Sequence, residues 1–217
     1  MSAAGEQGTA GVATRLSVFP LPGALLFPGL QLPLHIFEPR YRAMVSDALA
    51  RDRRIAMIQP RPDSPDREAP ALFAVGCVGR MADVEALDDG RFNVVLEGVS
   101  LFRVVRELKV ATPFRQVEGV LLPPPPADET LALAARSSLE LESRRFAESQ
   151  GYAVDWDAVA RLDDTSLVNG IAQIAPFDVA AKQALLEAPD IATRAELIVQ
   201  LMQFFGRHDG EERVTLQ

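Results

Sequence analysis

The two lysines of this 217-residue chain, Lys109 and Lys182, are the first residues to test for phosphate chemistry. An ATP-binding loop of the Walker type needs a glycine-rich run ending in Gly-Lys-Ser or Gly-Lys-Thr, whose backbone N–H groups surround the phosphates. Here the lysines follow Leu108 and Ala181. The sequence therefore predicts no nucleotide-binding loop of this type and no bound cofactor.

Thiol and imidazole groups are equally scarce. Cys77 is the only cysteine, and it stands in an alternating apolar run, which predicts a buried and unreactive thiol. His35 and His208 lie far apart in the sequence and fit neither a HExxH nor a CxxC spacing, so no zinc site is predicted. For His35 we expect a hydrogen-bonded structural role rather than proton transfer.

Glu38, Arg40, Tyr41 and Arg42 form the group of side chains most suggestive of a binding site. Guanidinium forks beside an aromatic ring are typical of peptide-binding and partner-binding surfaces. The alternative interpretation is structural, because Glu38 lies at a predicted helix start, where negative charge is favoured, and Arg42 can pair with it. Both interpretations stay open, and the four residues are the candidate peptide-binding or partner-binding residues.

The elements that would position these residues are mostly strands over residues 15–122. Short apolar runs are separated there by Pro and Gly, Asp88-Asp89-Gly90 predicts a hairpin turn, and Gly98 predicts a bend or bulge. One helix is predicted from Pro39, with an apolar stripe that ends at Leu49. The predicted strands cover 16–19, 25–27, 32–37, 55–58, 72–81, 92–97, 101–106 and 116–122.

Four consecutive prolines, Pro123 to Pro126, mark the predicted boundary, because they cannot donate to a strand ladder. Beyond them the apolar period is helical, with Asp128 expected to begin a helix that ends at Gly151. Further helices are predicted after Asp155, after Asp163 or Asp164, after Asp178 and after Asp190, the last ending at Gly206. The predicted organisation is a disordered tail (1–14), a β-rich subdomain (15–122), a helical subdomain (127–207) and a second tail (208–217).

Charge is distributed unevenly along the chain. The net charge is -8, and residues 123–217 hold 16 acidic residues against 8 basic ones, which disfavours binding to nucleic acid. A single cysteine suits a reducing compartment, and the sequence shows neither a signal-peptide pattern nor an apolar run long enough to span a membrane. A cytoplasmic location is therefore expected.

Three sequence blocks carry a resemblance to a known family. The first comprises Phe19-Pro20-Leu21-Pro22-Gly23, Leu26-Phe27-Pro28-Gly29 and Leu32-Pro33-Leu34-His35-Ile36-Phe37-Glu38-Pro39-Arg40-Tyr41. The second joins Gly76 to Gly79 with Gly90-Arg91-Phe92-Asn93 and Glu97-Gly98, and the third runs from Thr165 to Leu186. Together these blocks, over about residues 15–205, resemble the N-terminal substrate-recognition domain of Lon proteases.

The resemblance implies an α+β fold in which a β-rich, PUA-like pseudo-barrel is followed by a C-terminal helical bundle. In full-length Lon this unit precedes the ATPase and helps to capture unfolded or tagged proteins. Similar stand-alone bacterial proteins exist, and we expect this chain to act like them. The expected function is a non-catalytic module that binds protein or unfolded polypeptide segments and recruits clients or partners for proteolysis.

We do not expect this chain to have peptidase activity, although it resembles a domain of Lon proteases. Lon-type cleavage needs a serine nucleophile and a lysine base, and the family's Pro-Ser-Ala-Gly type of run does not occur in this chain. Lys182 with Ser166 is a conceivable pair, but a solvated helix lysine is the simpler interpretation. A small hydrolase with an unrecognised site, using a serine or His35, is the alternative function.

The leading hypothesis leaves two binding surfaces open. Extended segments could add to an exposed strand edge, or enter an apolar cleft between the two halves. The acidic helical half is expected to disfavour acidic clients. RNA binding through the barrel is a third hypothesis and would require a basic face. The sequence predicts no particular oligomeric state.

Overall fold

The computed structural model describes residues 12–126 and 129–206, and the backbone of residues 207–214. The tail predicted over residues 1–14 lies outside the described residues as far as residue 11, but Ala13 and Thr14 already pair with Val120 and Gly119. The described chain forms a mixed sheet and six helices, an α+β fold. The strands are β1 (Ala13–Pro20), β2 (Gln31–Ile36), β3 (Arg54–Ile58), β4 (Val75–Ala86), β5 (Phe92–Glu107) and β6 (Gln116–Leu121).

The strand order is β2-β5-β4-β3-β1-β6, and β6 also pairs with β5. Strands β5, β4, β3, β1 and β6 therefore close on one another, which removes their free edges. The 16-residue β5 makes this possible, because its first half pairs with β2 and its second half with β6. The two strands predicted over 92–97 and 101–106 are thus one strand, with a register shift beside Gly98, where a bulge or bend was predicted.

One predicted strand is wrong. Residues 25–27 form a loop, although Leu25, Leu26 and Phe27 are each only 1% exposed. Leu25 and Phe27 pack into the core of the helical half, whereas Leu26 packs into the core of the β-rich half. A short apolar run predicts that its side chains are buried. It does not distinguish a buried strand from a buried loop that packs against two cores.

The helices begin largely where the sequence predicts. Asp155, Asp163, Asp178 and Asp190 each accept a hydrogen bond from a backbone N–H three residues later, at 2.7–3.0 Å. Gly151 ends its helix with φ of 72°, as predicted. The helices are α1 (Pro39–Leu49), α2 (Leu133–Gln150), α3 (Trp156–Ala160), α4 (Asp164–Ile174), α5 (Val179–Glu187) and α6 (Ile191–Val214).

Two helix boundaries differ from the prediction. Asp128 lies outside the described residues, and α2 begins only at Leu133, without a side-chain cap. Helix α6 continues through Gly206 to Val214, so the tail predicted from residue 208 is helical as far as residue 214. A glycine inside a helix costs about 1 kcal/mol relative to alanine, which is too little by itself to end a helix of this length.

The two halves meet through a buried polar contact. Gln59 of the β-rich half donates to the Gln183 side chain (3.0 Å) and to the Val179 carbonyl (3.2 Å), and Gln183 donates to the Val75 carbonyl (3.1 Å). Both glutamines are almost fully buried. Because unpaired buried amides are costly, these bonds fix one arrangement of helix α5 against the β-rich half.

Candidate functional site

The candidate residues 38–42 form a corner between β2 and α1. Arg40 donates to the Glu38 carboxylate at 2.9 Å, and both side chains are exposed. The Arg40 guanidinium lies 4.5 Å above the Tyr41 ring, and that ring packs 4.3 Å from Phe19 in the core of the β-rich half. Burial raises the pKa of Tyr41. Tyr41 is therefore a core residue, and the aromatic face predicted for a ligand is covered.

The structural interpretation expected Arg42 to pair with Glu38, but among the described residues it does not. Its guanidinium lies against Gly90 in the β4–β5 hairpin, where any Cβ atom would overlap with it. The four candidate side chains thus face the core, the hairpin and solvent separately, and they do not converge on one surface. Binding of a polypeptide by these residues stays a prediction.

His35 belongs to a polar network on the outer face of β2, β5 and β4. The Asn93 amide donates to Glu85 (2.7 Å), so its oxygen faces His35 Nδ1, 2.8 Å away. Arg91 lies 3.2 Å from Nε2. This network assigns the ring proton to Nδ1 and leaves Nε2 to accept from Arg91. His35 is thus hydrogen-bonded through both ring nitrogens, as predicted, and its structural role stays a prediction.

Cys77 is buried, as predicted, and burial raises the pKa of its thiol to about 12. The unfolded thiol ionises near 9.0, so between these values the unfolded state binds fewer protons and folding loses stability as pH rises. We expect the unfolding free energy of the wild type to fall by about 1 kcal/mol relative to Cys77→Ala between pH 8 and pH 10. Urea denaturation of both proteins at the two pH values measures this difference; a gap independent of pH would contradict it.

The helical half buries two cations, and the prediction that Lys182 is solvated is wrong. Lys182 Nζ donates to the Gln173 carbonyl (3.0 Å) in the last turn of α4. Arg194 donates to the Leu185 and Ala188 carbonyls (2.8 and 3.0 Å) at the end of α5. The C-terminal carbonyls of a helix carry partial negative charge, which stabilises a cation there. Desolvation lowers the pKa of both groups.

Ser166 is engaged elsewhere. Its hydroxyl donates to Asp163 at 2.8 Å, beside the backbone bond that starts α4. The hydrogen bond of Lys182 goes to a backbone carbonyl instead. Among the described residues, the structure does not bring Ser166 and Lys182 together as a nucleophile and its base.

A groove of about 510 Å³ opens between α2, α3 and α4. Gly151 ends α2 in the left-handed conformation, and the Tyr152 N–H then donates back to the Ala147 carbonyl at 2.9 Å, which directs the following loop across the helices. Within the described part of the chain, every lining residue is uncharged. The large apolar or aromatic side chains that line the groove are Phe146, Tyr152, Trp156, Leu162, Leu167, Ile171, Ile174 and Met202.

Several apolar side chains that line this groove are unusually exposed to solvent. Ile174 is 79% exposed, Tyr152 53%, Leu162 42% and Val154 37%. The Arg144 guanidinium lies 4.5 Å above the ring of Trp156, the single tryptophan. Clustered exposed apolar residues mark binding surfaces in soluble proteins. This groove was not predicted from the sequence, although Tyr152, Val154 and Trp156 place large apolar side chains at alternate positions directly after Gly151.

The two surfaces favoured at the sequence level are less suited to an apolar segment. Strand β2 lies at an edge of the sheet, but Pro33 in its middle has no N–H to donate to an added strand. A cavity of about 300 Å³ does lie between the two halves, as predicted, but charged side chains of both signs line it. These are Arg103, Glu129, Glu187, Asp190 and Arg194.

The amino-acid sequence of this chain is similar to a known protein family and to several curated proteins. The sequence model for the substrate-binding domain of the ATP-dependent protease La (LON) matches residues 15–203. The chain is 30% identical to a Lon protease of Salinispora arenicola over 204 residues, 93% of this chain and 25% of that protein. It is 26% identical to Lon protease 2 of Myxococcus xanthus over 192 residues, 86% of this chain and 23% of that protein. The chain thus spans about a quarter of the length of these curated relatives.

Solved structures share the fold. A Lon N-terminal domain protein from Xanthomonas campestris superposes with a TM-score of 0.64 at 22% identity, covering 86% of this chain and 98% of the other. The N-terminal domain of a Mycobacterium avium complex Lon protease gives a TM-score of 0.62 at 16% identity, with 88% and 98% covered. Separately, among the described residues no helix is long and apolar enough to cross a membrane.

Proposed function

The chain belongs to the substrate-binding domain family of the ATP-dependent protease La (LON), and from that premise we propose that it recognises polypeptides and does not cleave them. The observation that supports this most is the uncharged groove between α2, α3 and α4. Its aromatic and aliphatic side chains can anchor the apolar residues of an unfolded segment, which a folded protein would hide. Trp156 and Tyr152 supply the large rigid surfaces that usually dominate such contacts.

We extend the proposal to the organisation of the chain. The closed ring of strands is the PUA-like pseudo-barrel that the resemblance implied, and the helices packed around α6 form the bundle. The β-rich subdomain (15–122) then serves as a rigid support, while the helical subdomain (127–207) carries the binding groove. The module works in the cytoplasm, binds no nucleic acid through its acidic half, and recruits clients or partners for proteolysis.

The alternative of a small hydrolase receives little support from the described side chains. Cys77 is buried with a raised pKa, His35 Nε2 accepts from Arg91, and Ser166 is bonded to a helix cap. A fluorogenic-peptide and casein assay, with and without ATP, separates the two functions. Turnover that disappears in His35→Ala or Lys182→Ala would establish the hydrolase instead.

Gly170→Phe is expected to weaken peptide binding while preserving the fold. Gly170 lies in α4 and lines the groove, and a Cβ atom there meets nothing within 4 Å, so a benzyl side chain has room only inside the groove. We expect the Kd for a tryptophan-free peptide rich in Leu and Phe to rise about tenfold or more, because the anchoring pocket is filled. The fluorescence of Trp156, which lines the same groove, measures this binding directly.

Gly170→Ala is the matched control for this variant. It adds one methyl group in open space, removes a glycine from a helix interior, and is expected to raise stability by up to about 1 kcal/mol. Its peptide affinity should equal that of the wild type. Unchanged affinity in Gly170→Phe would show that the polypeptide binds elsewhere.

A further inference from the structure

Arg194 is a buried cation whose hydrogen-bond partners are all neutral. It is only 7% exposed, and its guanidinium donates to two backbone carbonyls and to the Asn169 side chain. Among the residues that the structure describes, no carboxylate forms an ion pair with it. These bonds use three of its five N–H groups, so two remain for a further acceptor. Because a buried charge without an opposite charge is costly, an anion beside this guanidinium would be stabilised.

The cavity of about 300 Å³ between the two halves gives such an anion access to Arg194. Its apolar lining comes from both halves and comprises Phe27, Val75, Leu101, Leu122, Leu186 and Ile191. Arg103 of β5 also lines the cavity, and its exposed side chain forms no ion pair within residues 12–126 and 129–206. Ligand sites in proteins are typically apolar concavities at domain interfaces with a few convergent polar groups. The cavity has this character.

Three carboxylates line the same cavity, and two of them are engaged by neutral donors. Glu187 accepts from the Gln183 amide, and Asp190 accepts from Thr193 N at the start of α6, both at 2.7 Å. Glu129 and Asp190 raise the pKa of Arg194, but desolvation is the larger effect and that pKa stays lowered. The carboxylates therefore compensate the buried cation only in part, and Glu129 is the group that most directly opposes a bound anion.

We propose that this cavity binds a carboxylate carried on an apolar group, with the carboxylate at Arg194 and the apolar group against the walls. The C-terminal residue of a polypeptide and a free apolar acid share this chemistry. Guanidinium N–H groups match carboxylate oxygens, and such charge-assisted bonds are about twice as strong as neutral ones. The inference concerns a second site and does not depend on peptide binding in the groove.

Two matched pairs of ligands test the proposal by isothermal titration calorimetry of the full chain. N-acetyl-leucine carries the carboxylate, and N-acetyl-leucinamide replaces it with a neutral amide of nearly equal size. The second pair is the peptide Gly-Ser-Gly-Ser-Leu with a free or an amidated C-terminus. We expect the acid to bind at least about tenfold more tightly than its amide, because only the acid forms charge-assisted bonds. A preference in both pairs assigns the site to polypeptide C-termini as well as free acids, and a preference in the first pair alone assigns it to free acids.

Two changes at the cavity should move the affinity for N-acetyl-leucine in opposite directions. Arg103→Gln removes a guanidinium and should weaken binding about threefold, whereas Glu129→Gln removes the opposing carboxylate and should strengthen it by a similar factor. The matched control is Arg106→Gln, which removes the same charge from the same strand outside the described lining. It should leave the affinity unchanged.

Equal affinity for acid and amide in both ligand pairs overturns the inference, as does an equal effect of Arg103→Gln and Arg106→Gln. Gly170→Phe fills the groove but not the cavity, so it should bind N-acetyl-leucine like the wild type. Loss of that binding in Gly170→Phe would place the acid in the groove and would also overturn the inference. None of these results depends on whether unfolded segments bind the groove.

Discussion

Gly98→Ala is expected to lower the unfolding free energy by about 3–5 kcal/mol, since both overpacking and lost backbone hydrogen bonds contribute. A Cβ atom on Gly98 would lie 2.6 Å from the carbonyl carbon of Phe27 and 3.1 Å from Pro28 N. The neighbouring chain cannot withdraw freely, because Gly98 donates to the Leu30 carbonyl and accepts from Gly29 N, both at 2.9 Å. Phe27 is also anchored in the helical core, so its displacement would disturb both halves.

Such a loss is a large share of the 5–15 kcal/mol that holds a typical domain folded. Urea denaturation followed by circular dichroism measures it, with Gly170→Ala as a second glycine-to-alanine change that meets no neighbouring atom. We expect Gly170→Ala to be as stable as the wild type or slightly more stable. If the unfolding free energy of Gly98→Ala lies within about 1 kcal/mol of the wild-type value, residues 27–28 do not approach β5 as closely as described.

Arg194→Met is expected to cost about 3 kcal/mol, because it leaves three buried acceptors without a donor. Arg194 donates to Leu185 O, Ala188 O and the Asn169 side chain at 2.8–3.0 Å, and its guanidinium lies 5.0 Å from the Phe27 ring centroid. Methionine keeps much of the apolar stem but none of the donors. Removing a buried cation also recovers its desolvation cost, yet three unmade hydrogen bonds outweigh that gain.

Arg145→Met is the matched control, since Arg145 is 65% exposed and, within residues 12–126 and 129–206, its ion pair is with Glu142 alone. An exposed pair of this kind contributes up to about 1 kcal/mol, and usually less. Thermal or urea unfolding of both variants gives the comparison. Similar losses in the two variants, or a loss below about 1 kcal/mol in Arg194→Met, would contradict the capping role of Arg194.

Much of the local structure follows from local signals. The aspartates that begin α3, α4, α5 and α6 act within three residues of themselves, so their capping bonds are predictable from sequence. Gly151 and the Asp88-Asp89-Gly90 turn are similar cases, because a positive φ favours glycine at a fixed position. The family, too, is recognisable in the chain, since its proline-rich first block is long and specific.

The candidate site is a different matter. Residues 38–42 attract attention because an acid, two arginines and a tyrosine stand together, but adjacency does not give direction. Tyr41 points into the core of the β-rich half, and Arg42 points toward the hairpin at Gly90. The groove residues, by contrast, come from α2, α3, α4 and α6 and from the loop after α2, and most are ordinary apolar residues in their own segments.

The sequence by itself determined where helices start, where the composition changes from strand-like to helical, which reactive motifs are missing and to which family the chain belongs. Tertiary structure alone decided that β5 serves two partners and closes the ring, that residues 25–27 form a buried loop, that Lys182 and Arg194 cap helices inside the core, and that an open apolar groove remains. The physical reason is range. Capping and turn formation act over three or four residues, whereas burial depends on which distant segments meet, and a pattern of apolar residues does not specify its partner.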